Sequence, residues 1–404
     1  MSSRAAALWK YAPFLYRIHA GLRAWQQERH IDNEQADYAA LRRLSMTDDP
    51  QNINDISARL QERLSRRGLV PRPKPKRALR IIYATRPSGW EPHNIPPELA
   101  KVGTLIPYYY AERGFDDTAG DWPDKRERLD RDLLAFVKRV HDSEPVDAFV
   151  GYLSGWQIAP ATLLAIGRMG IVTVGFHWDD KRSFRGKRAG GRWSGPAAVA
   201  GAYDLNLTNA PDSIAKYQAE GGLALFWPEA ANPDHFCPLD RAFEYDVSFV
   251  GACYGYRPIF MRELRRQGIA VEAFGPGWPN GPVSEKEMVE IYARSRINLG
   301  FGGIGYSMKA QCLKGRDFEV PMCGALYLTS DNPELRLVYN VGREIVTYGT
   351  KEECAGMIRH LLAHPEEARA IRRTGRARCL SEHTWEKRFE SVFQLAGMLN
   401  GRAE

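Results

Sequence analysis

The chain has 404 residues and a mass of 45.7 kDa, more than one hydrophobic core usually organises, so two domains are expected. Hydrophobic residues make up 44% and charged residues 26%, a globular balance that excludes wholesale disorder, while the net charge of +7 suits nucleic acid, an anionic membrane or a phosphate-bearing substrate without choosing among them. The 6 cysteines all fall in the second half with no close pair at metal-ligand spacing, which argues against a zinc site or a disulfide framework and for reduced thiols in a cytoplasmic protein.

In residues 1–30, Arg4, Lys10, Arg17 and Arg23 interrupt the apolar residues, so the segment does not read as a signal peptide. Leu8, Tyr11, Leu15, Ile18 and Leu22 recur at three- and four-residue spacing beside Trp9, Phe14 and Trp25, the pattern of an amphipathic helix. Its basic flanks suit peripheral contact with a membrane surface; packing on its own domain or on a second subunit is the equal alternative. A helix over 50–68 follows, and the prolines between Pro71 and Lys76 close this helical N-terminal extension at residue 76.

The apolar run 78–84 begins a first sheet. Helices at 124–141, 160–169 and 211–220 alternate with strands at 147–152, 171–176, 204–208 and 223–226, the rhythm of βαβ units and a parallel sheet. The stretch 228–240, rich in proline and asparagine, reads as a linker, which gives one domain over 77–232 and a second over 233–382. The second repeats the theme: strands at 245–250, 271–274, 297–301 and 325–329, and helices at 257–267, 284–294, 309–322, 351–363 and 365–378. A last amphipathic helix within 383–404 carries Trp385, Phe389, Val392 and Phe393 and needs a surface to cover.

In open parallel sheets ligands bind beyond the carboxyl ends of the strands. In the second domain those positions hold Gly251 and Arg257, then Gly275 and Gly277, then Gly302 and Gly303. Glycine turns ahead of helices expose amides and the positive end of the helix dipole to a phosphate, though each glycine alone is equally a tight turn. Lys314 and Arg316 can neutralise a diphosphate and Glu319 can accept both hydroxyls of a ribose; the alternative is an ion-pair network on a solvated helix. In the first domain His177, Asp179 and Asp180 follow a strand, where an aspartate can act as general base or cap a helix and the histidine can hydrogen-bond a donor. Ser88, Gly89, Trp90 and Trp156 are candidates for the acceptor side, the tryptophans as stacking platforms or as core. The loop 182–192 is basic and glycine-containing, a mobile acceptor loop or a solvated surface.

The stretch LGFGGIGYSMKAQCLKGRDFEVPMCGALYLT, with GREIVTYGTKEECAGMIRHLLAHPEEA and EHTWEKRF, resembles the CgeB-like glycosyltransferases of the GT-B superfamily. The resemblance implies an α/β fold of two facing Rossmann-like domains with parallel sheets, a nucleotide sugar held by the second, an acceptor by the first, and a C-terminal crossing helix over 383–404. Against the broader retaining pattern, Glu319 falls at the second glutamate of the E-x7-E motif and Gln311 at the first. Ala252 and Arg257 fall at the phosphate-binding arginine and lysine, and His177 falls at a histidine near the donor sugar.

The expectation is therefore a retaining hexosyltransferase using a nucleoside diphosphate sugar, with no cofactor and no metal, acting on a glycan, lipid-linked or protein acceptor. A non-catalytic binder of nucleotide sugars and a nucleic-acid-modifying protein are the alternatives, the latter without a recognisable nucleic-acid motif.

Overall fold

The computed structural model describes residues 12–44, 53–87 and 91–400. They form two compact units. One is built from Asn33–Pro228 and the residues from Trp385 onward; the other combines the described residues up to Asp32 with Glu229–Thr384.

In the first unit the strands are β1 (Leu79–Thr85), β2 (Gly103–Tyr109), β3 (Ala148–Gly151), β4 (Val172–His177), a short hairpin β5 (Arg188–Ala189) and β6 (Arg192–Trp193), then β7 (Leu205–Thr208) and β8 (Ala224–Phe226). Six of them make one parallel sheet in the order β2-β1-β3-β4-β7-β8. β3, β4 and β7 are buried along their whole length, as continuous apolar strands covered on both faces must be. The helix Trp122–Ser143 lays Leu129, Leu133 and Val137, four residues apart, against this sheet. β2 was not anticipated, because Pro107 and a half-exposed pattern disguise it; it is an edge strand, where proline is tolerated.

Two long-range devices complete this unit. Lys216 Nζ meets Glu34 Oε1 at 3.0 Å with side chains 2% and 4% exposed, and Glu34 also accepts the amides of Phe184 and Arg185. Residues 33–44 of the helix Pro13–Leu44 are thereby fastened to the sheet domain, with the Tyr38 ring edge-on to Phe184. The C-terminal helix Trp385–Leu395 covers an aromatic cluster in which Trp227 lies parallel to Trp178 at 5.7 Å and tilts against Trp385 at 5.2 Å. Trp385 Nε1 donates to Asn94 Oδ1 at 2.8 Å, so the indole is buried with its polar atom satisfied.

In the second unit β9 (Tyr245–Val250), β10 (Glu272–Phe274), β11 (Ser295–Leu299), β12 (Tyr327–Ser330) and β13 (Val346–Tyr348) form a parallel sheet in the order β10-β9-β11-β12-β13. Capping boxes start two of its helices, Ser284 with Glu287 for Glu285–Ala293 and Thr350 with Glu353 for Lys351–Ala363. The helix expected over 309–322 is confined to Arg316–Met322. Its first half is instead a loop, bridged between Gly303 and Gln311 and bonded from the Ile304 amide to the Ala310 carbonyl at 2.9 Å. β13, three residues long, was too short to leave a pattern.

Removing the cation of the buried pair should be severe. Lys216→Ala leaves Glu34 charged and unmatched, and urea titration should show a loss of about 3–5 kcal/mol. Glu34→Gln keeps an acceptor for the two loop amides but leaves Lys216 charged and buried, so it too should lose stability; no loss in either variant would mean that the pair carries nothing.

Candidate active site

Strand order reverses between β9 and β11 in the second unit, so the loops after these strands diverge at their carboxyl ends, the position at which open parallel sheets form a ligand crevice. Arg257 opens the helix Arg257–Arg266, is 4% exposed, and donates from Nη1 to the Ala252 carbonyl at 3.0 Å. Arg316 opens the helix Arg316–Met322. Their guanidinium carbons lie 5.4 Å and 5.6 Å from the centre of the same ring, Phe249, at the end of β9. Burial, and next the charge of Arg316, push the Arg257 pKa down. Arg257 also sits at the positive end of a helix dipole, and its charge is met only by the Ala252 carbonyl and aromatic faces, with no carboxylate bonded to it among the described residues. The Arg316 Nε is buried with no hydrogen-bond partner among the described residues.

Glu319, one turn into the second of these helices, is 5% exposed. Burial pushes its carboxyl up to about 7, with the Arg316 charge pulling against that and Glu285 and Asp317 adding to it. Gly251 touches the same group: a Cβ there would stand 3.3 Å from the Arg316 Nη1 and 2.8 Å from the Phe249 ring. The structure thus brings Gly251, Arg257, Arg316 and Glu319 together.

The other glycines support this crevice from behind. At Gly275, with φ of +123°, a Cβ would stand 2.5 Å from the Gly251 carbonyl oxygen, so the two loops touch through bare backbone. Gly277 likewise faces Cys253, and Trp278 Nε1 donates to the Gly251 carbonyl at 2.8 Å. The amides of Gly251, Gly275 and Gly302 are spent on Phe274, Gly281 and Ser330 at 2.8, 2.6 and 2.7 Å. Gly303 lies against Ser307 and Tyr256. Positive charge at the crevice therefore comes from guanidinium groups more than from glycine amides. Lys314 holds its ammonium 2.9 Å from the Cys312 sulfur, and its amide donates to Asp317 Oδ2 at 2.8 Å.

In the first unit the reversal falls between β1 and β3. A cavity of about 400 Å³ opens at the strand ends there, lined by Arg86, Tyr110, Asp117, Tyr152, Ser154, Gln157, His177, Trp178 and Asp180 among others. Asp117 is its hub, accepting from Tyr110 at 2.9 Å and Gln157 at 2.8 Å and pairing with Arg86. Ser154 donates to Gln157 at 2.9 Å. His177 is 4% exposed, and burial holds its imidazole down at about 3, so it is neutral at ordinary pH. Its Nε2 and the Trp178 Nε1 are buried without hydrogen-bond partners among the described residues. A charge-balanced cavity rich in hydroxyl and amide groups, with two unspent ring nitrogens on its wall, is suited to a polyhydroxyl ligand.

Asp180 lines the cavity, but its Oδ2 already accepts from Thr208 at 2.6 Å and Tyr217 at 2.8 Å, and burial raises its carboxyl to about 6. Asp179 turns the chain after β4 with φ of +59°, its amide bonded to Asn209. Trp156 is a packing residue: its Nε1 donates to the Asp117 carbonyl at 2.9 Å and its ring packs on the sheet core. Ser88, Gly89 and Trp90 lie outside the described residues. Arg86, Tyr110, Asp117, Ser154 and Gln157 were not singled out from sequence, although each closely follows a strand end and that position was the available signal.

In the loop 182–192, Arg185 pairs with Asp37 at 2.8 Å and Arg192 stands 4.0 Å from Asp130, so part of its charge is neutralised at home. Among the described residues one group of side chains has metal-like spacing, the exposed His360, His364 and Glu367, which belongs to neither crevice.

Residues 257–394 match the model of a glycosyl transferase-like family. No curated protein gives a significant match. Among solved structures, a glycosyltransferase from Rickettsia africae is 9% identical with a TM-score of 0.53, covering 79% of this chain and 97% of its own. Sucrose-phosphate synthase from Thermosynechococcus elongatus is 12% identical with a TM-score of 0.51, covering 79% and 98%. HepE from Anabaena, in complex with UDP and glucose, is 10% identical with a TM-score of 0.51, covering 80% and 100%. These likenesses show the fold: two parallel-sheet α/β domains of the GT-B kind, with a helical N-terminal region.

The suppressed basicity of His177 has a thermodynamic signature. An unfolded histidine titrates near 6.5, so between there and about 3 the unfolded chain binds a proton that the native one refuses. Stability should fall as pH drops through that window, by up to about 1.4 kcal/mol per pH unit from this residue. Urea unfolding of His177→Phe should lack that component; the same pH slope in both proteins would show that the native imidazole is protonated.

Proposed function

We propose that the protein is a retaining, metal-independent glycosyltransferase of the CgeB-like kind. It transfers a hexosyl group from a nucleoside diphosphate sugar to a hydroxyl of a glycan, lipid-linked or protein acceptor, in the cytoplasm. The observation that carries this reading is the pair of buried Arg257 and half-buried Arg316 over Phe249 with Glu319 beside it, the two arginines and the glutamate lying inside the segment matched by the glycosyl transferase-like model.

Breaking the sugar–phosphate bond leaves negative charge on the diphosphate, whose oxygen takes up the acceptor hydroxyl proton, and two fixed guanidinium groups stabilise that charge without reorganising. Because the protein supplies this charge, a divalent cation is not required. Glu319 in its ionised form accepts the ribose hydroxyls. The cavity of the first unit holds sugar hydroxyls through Asp117, Gln157 and Ser154, with neutral His177 as a hydrogen-bond partner. Asp180 has its Oδ2 engaged by the Thr208 and Tyr217 hydroxyls, which ties the carboxylate to its own sheet and supports retention, a course that needs no carboxylate base.

A thermal-shift panel of nucleoside diphosphate sugars tests the assignment, starting with UDP-glucose because the HepE structure holds UDP and glucose. At least one donor should stabilise the protein and Arg257→Ala or Arg316→Ala should abolish the shift. Glu319→Ala should weaken donor binding about 10- to 100-fold, the worth of charge-assisted hydrogen bonds. No response to any donor would sink the reading, and stabilisation without release of nucleoside diphosphate would make the protein a binder.

Metal independence has its own check. Donor turnover should survive excess EDTA unchanged; loss of turnover restored by magnesium or manganese would overturn it.

A further inference from the structure

The helix Pro13–Leu44 is apolar on two sides over its first half. One side is used. Tyr16 is fully buried and its hydroxyl donates to the Gly255 carbonyl at 2.9 Å, Gln27 Nε2 donates to the Ile304 carbonyl at 2.8 Å, and Glu28 accepts from Ser307 at 2.6 Å. The opposite side presents Phe14, Leu15, Ile18, Leu22 and Trp25, exposed by 74, 52, 47, 58 and 54%. Phe14, Ile18, Leu22 and Trp25 follow one another at four, four and three residues, so they form a continuous stripe along one face. The three bonds on the inner side fix the rotation of the helix, so it cannot roll to bury that stripe against its own unit.

Such a stripe needs a partner, and its borders indicate which. Arg17, Arg23 and Arg29 flank it, the Arg29 guanidinium lying 4.9 Å from the centre of the Trp25 ring, while the acid Glu28 is drawn inward to Ser307. A second copy would bring like charges together on a chain already at +7. An apolar stripe with a tryptophan and an arginine border matches the acyl and headgroup layers of an anionic bilayer. No helix among the described residues is long and apolar enough to cross a membrane, so contact through this helix would be with the surface. We propose that residues 14–29 form a docking face for an anionic lipid bilayer.

Co-sedimentation of the full chain with phosphatidylcholine vesicles, alone or enriched in phosphatidylglycerol, tests this. Binding should be at least about tenfold stronger with the anionic lipid and should weaken with salt. The Ile18→Asp/Leu22→Asp variant should lose it by a similar factor while its melting temperature holds; should that variant misfold, Arg17→Glu/Arg23→Glu tests the charged border separately. No binding, binding indifferent to lipid charge, or a dimer in sedimentation that the same substitutions dissolve would each overturn the proposal. The donor thermal shift is measured without vesicles, so failure here and failure of the transferase reading are seen separately.

Discussion

Two positive charges that share one aromatic ring are the constraint that organises the second unit. Arg257 and Arg316 both take Phe249 as a neighbour, and that ring offsets only part of the cost of keeping like charges together. The balance comes from Glu319 and Asp317 on the Arg316 side, while Arg257 has a carbonyl and the face of Tyr254 at 4.3 Å. Arg257, the member with no carboxylate bonded to it among the described residues, gains most when an anion arrives. The glycine contacts behind it matter because they let the loops close up on bare backbone and hold both helix starts in place.

Much of this was legible in the sequence because parallel sheets write themselves plainly: apolar runs such as the one ending at His177 alternate with helices whose apolar residues fall four apart. The charged segment around Glu319 stood out by composition alone. What escaped detection depends on distance along the chain. The Tyr16 bond to Gly255 spans 239 residues and that of Trp385 to Asn94 spans 291, and no local pattern reports either. Of the Asp117 cavity, His177 and Asp180 were singled out, while the rest of its lining comes from the ends of other strands that no local pattern links. Gly302 was read as a phosphate cradle, yet its amide belongs to Ser330, a partner 28 residues on.

The aromatic cluster of the first unit shows how packing and site are joined. Trp178 leans on Trp227 and Trp385 while its neighbour His177 reaches the cavity, so the rigid stack fixes the imidazole where its burial keeps it neutral. The left-handed turn at Asp179 then sends Asp180 inward to Thr208 and Tyr217. Three consecutive residues therefore serve an aromatic stack, a cavity wall and a turn, and the fourth anchors a neighbouring strand.

The chain passes from one compact unit to the other near residues 32, 228 and 384. Neither is a contiguous piece of sequence, and the first-formed sheet lacks the helix that covers its tryptophans until Trp385–Leu395 have been synthesised. On the ribosome, that apolar surface stays uncovered while the whole stretch between Trp227 and Trp385 is made, an interval in which a chaperone has something to hold.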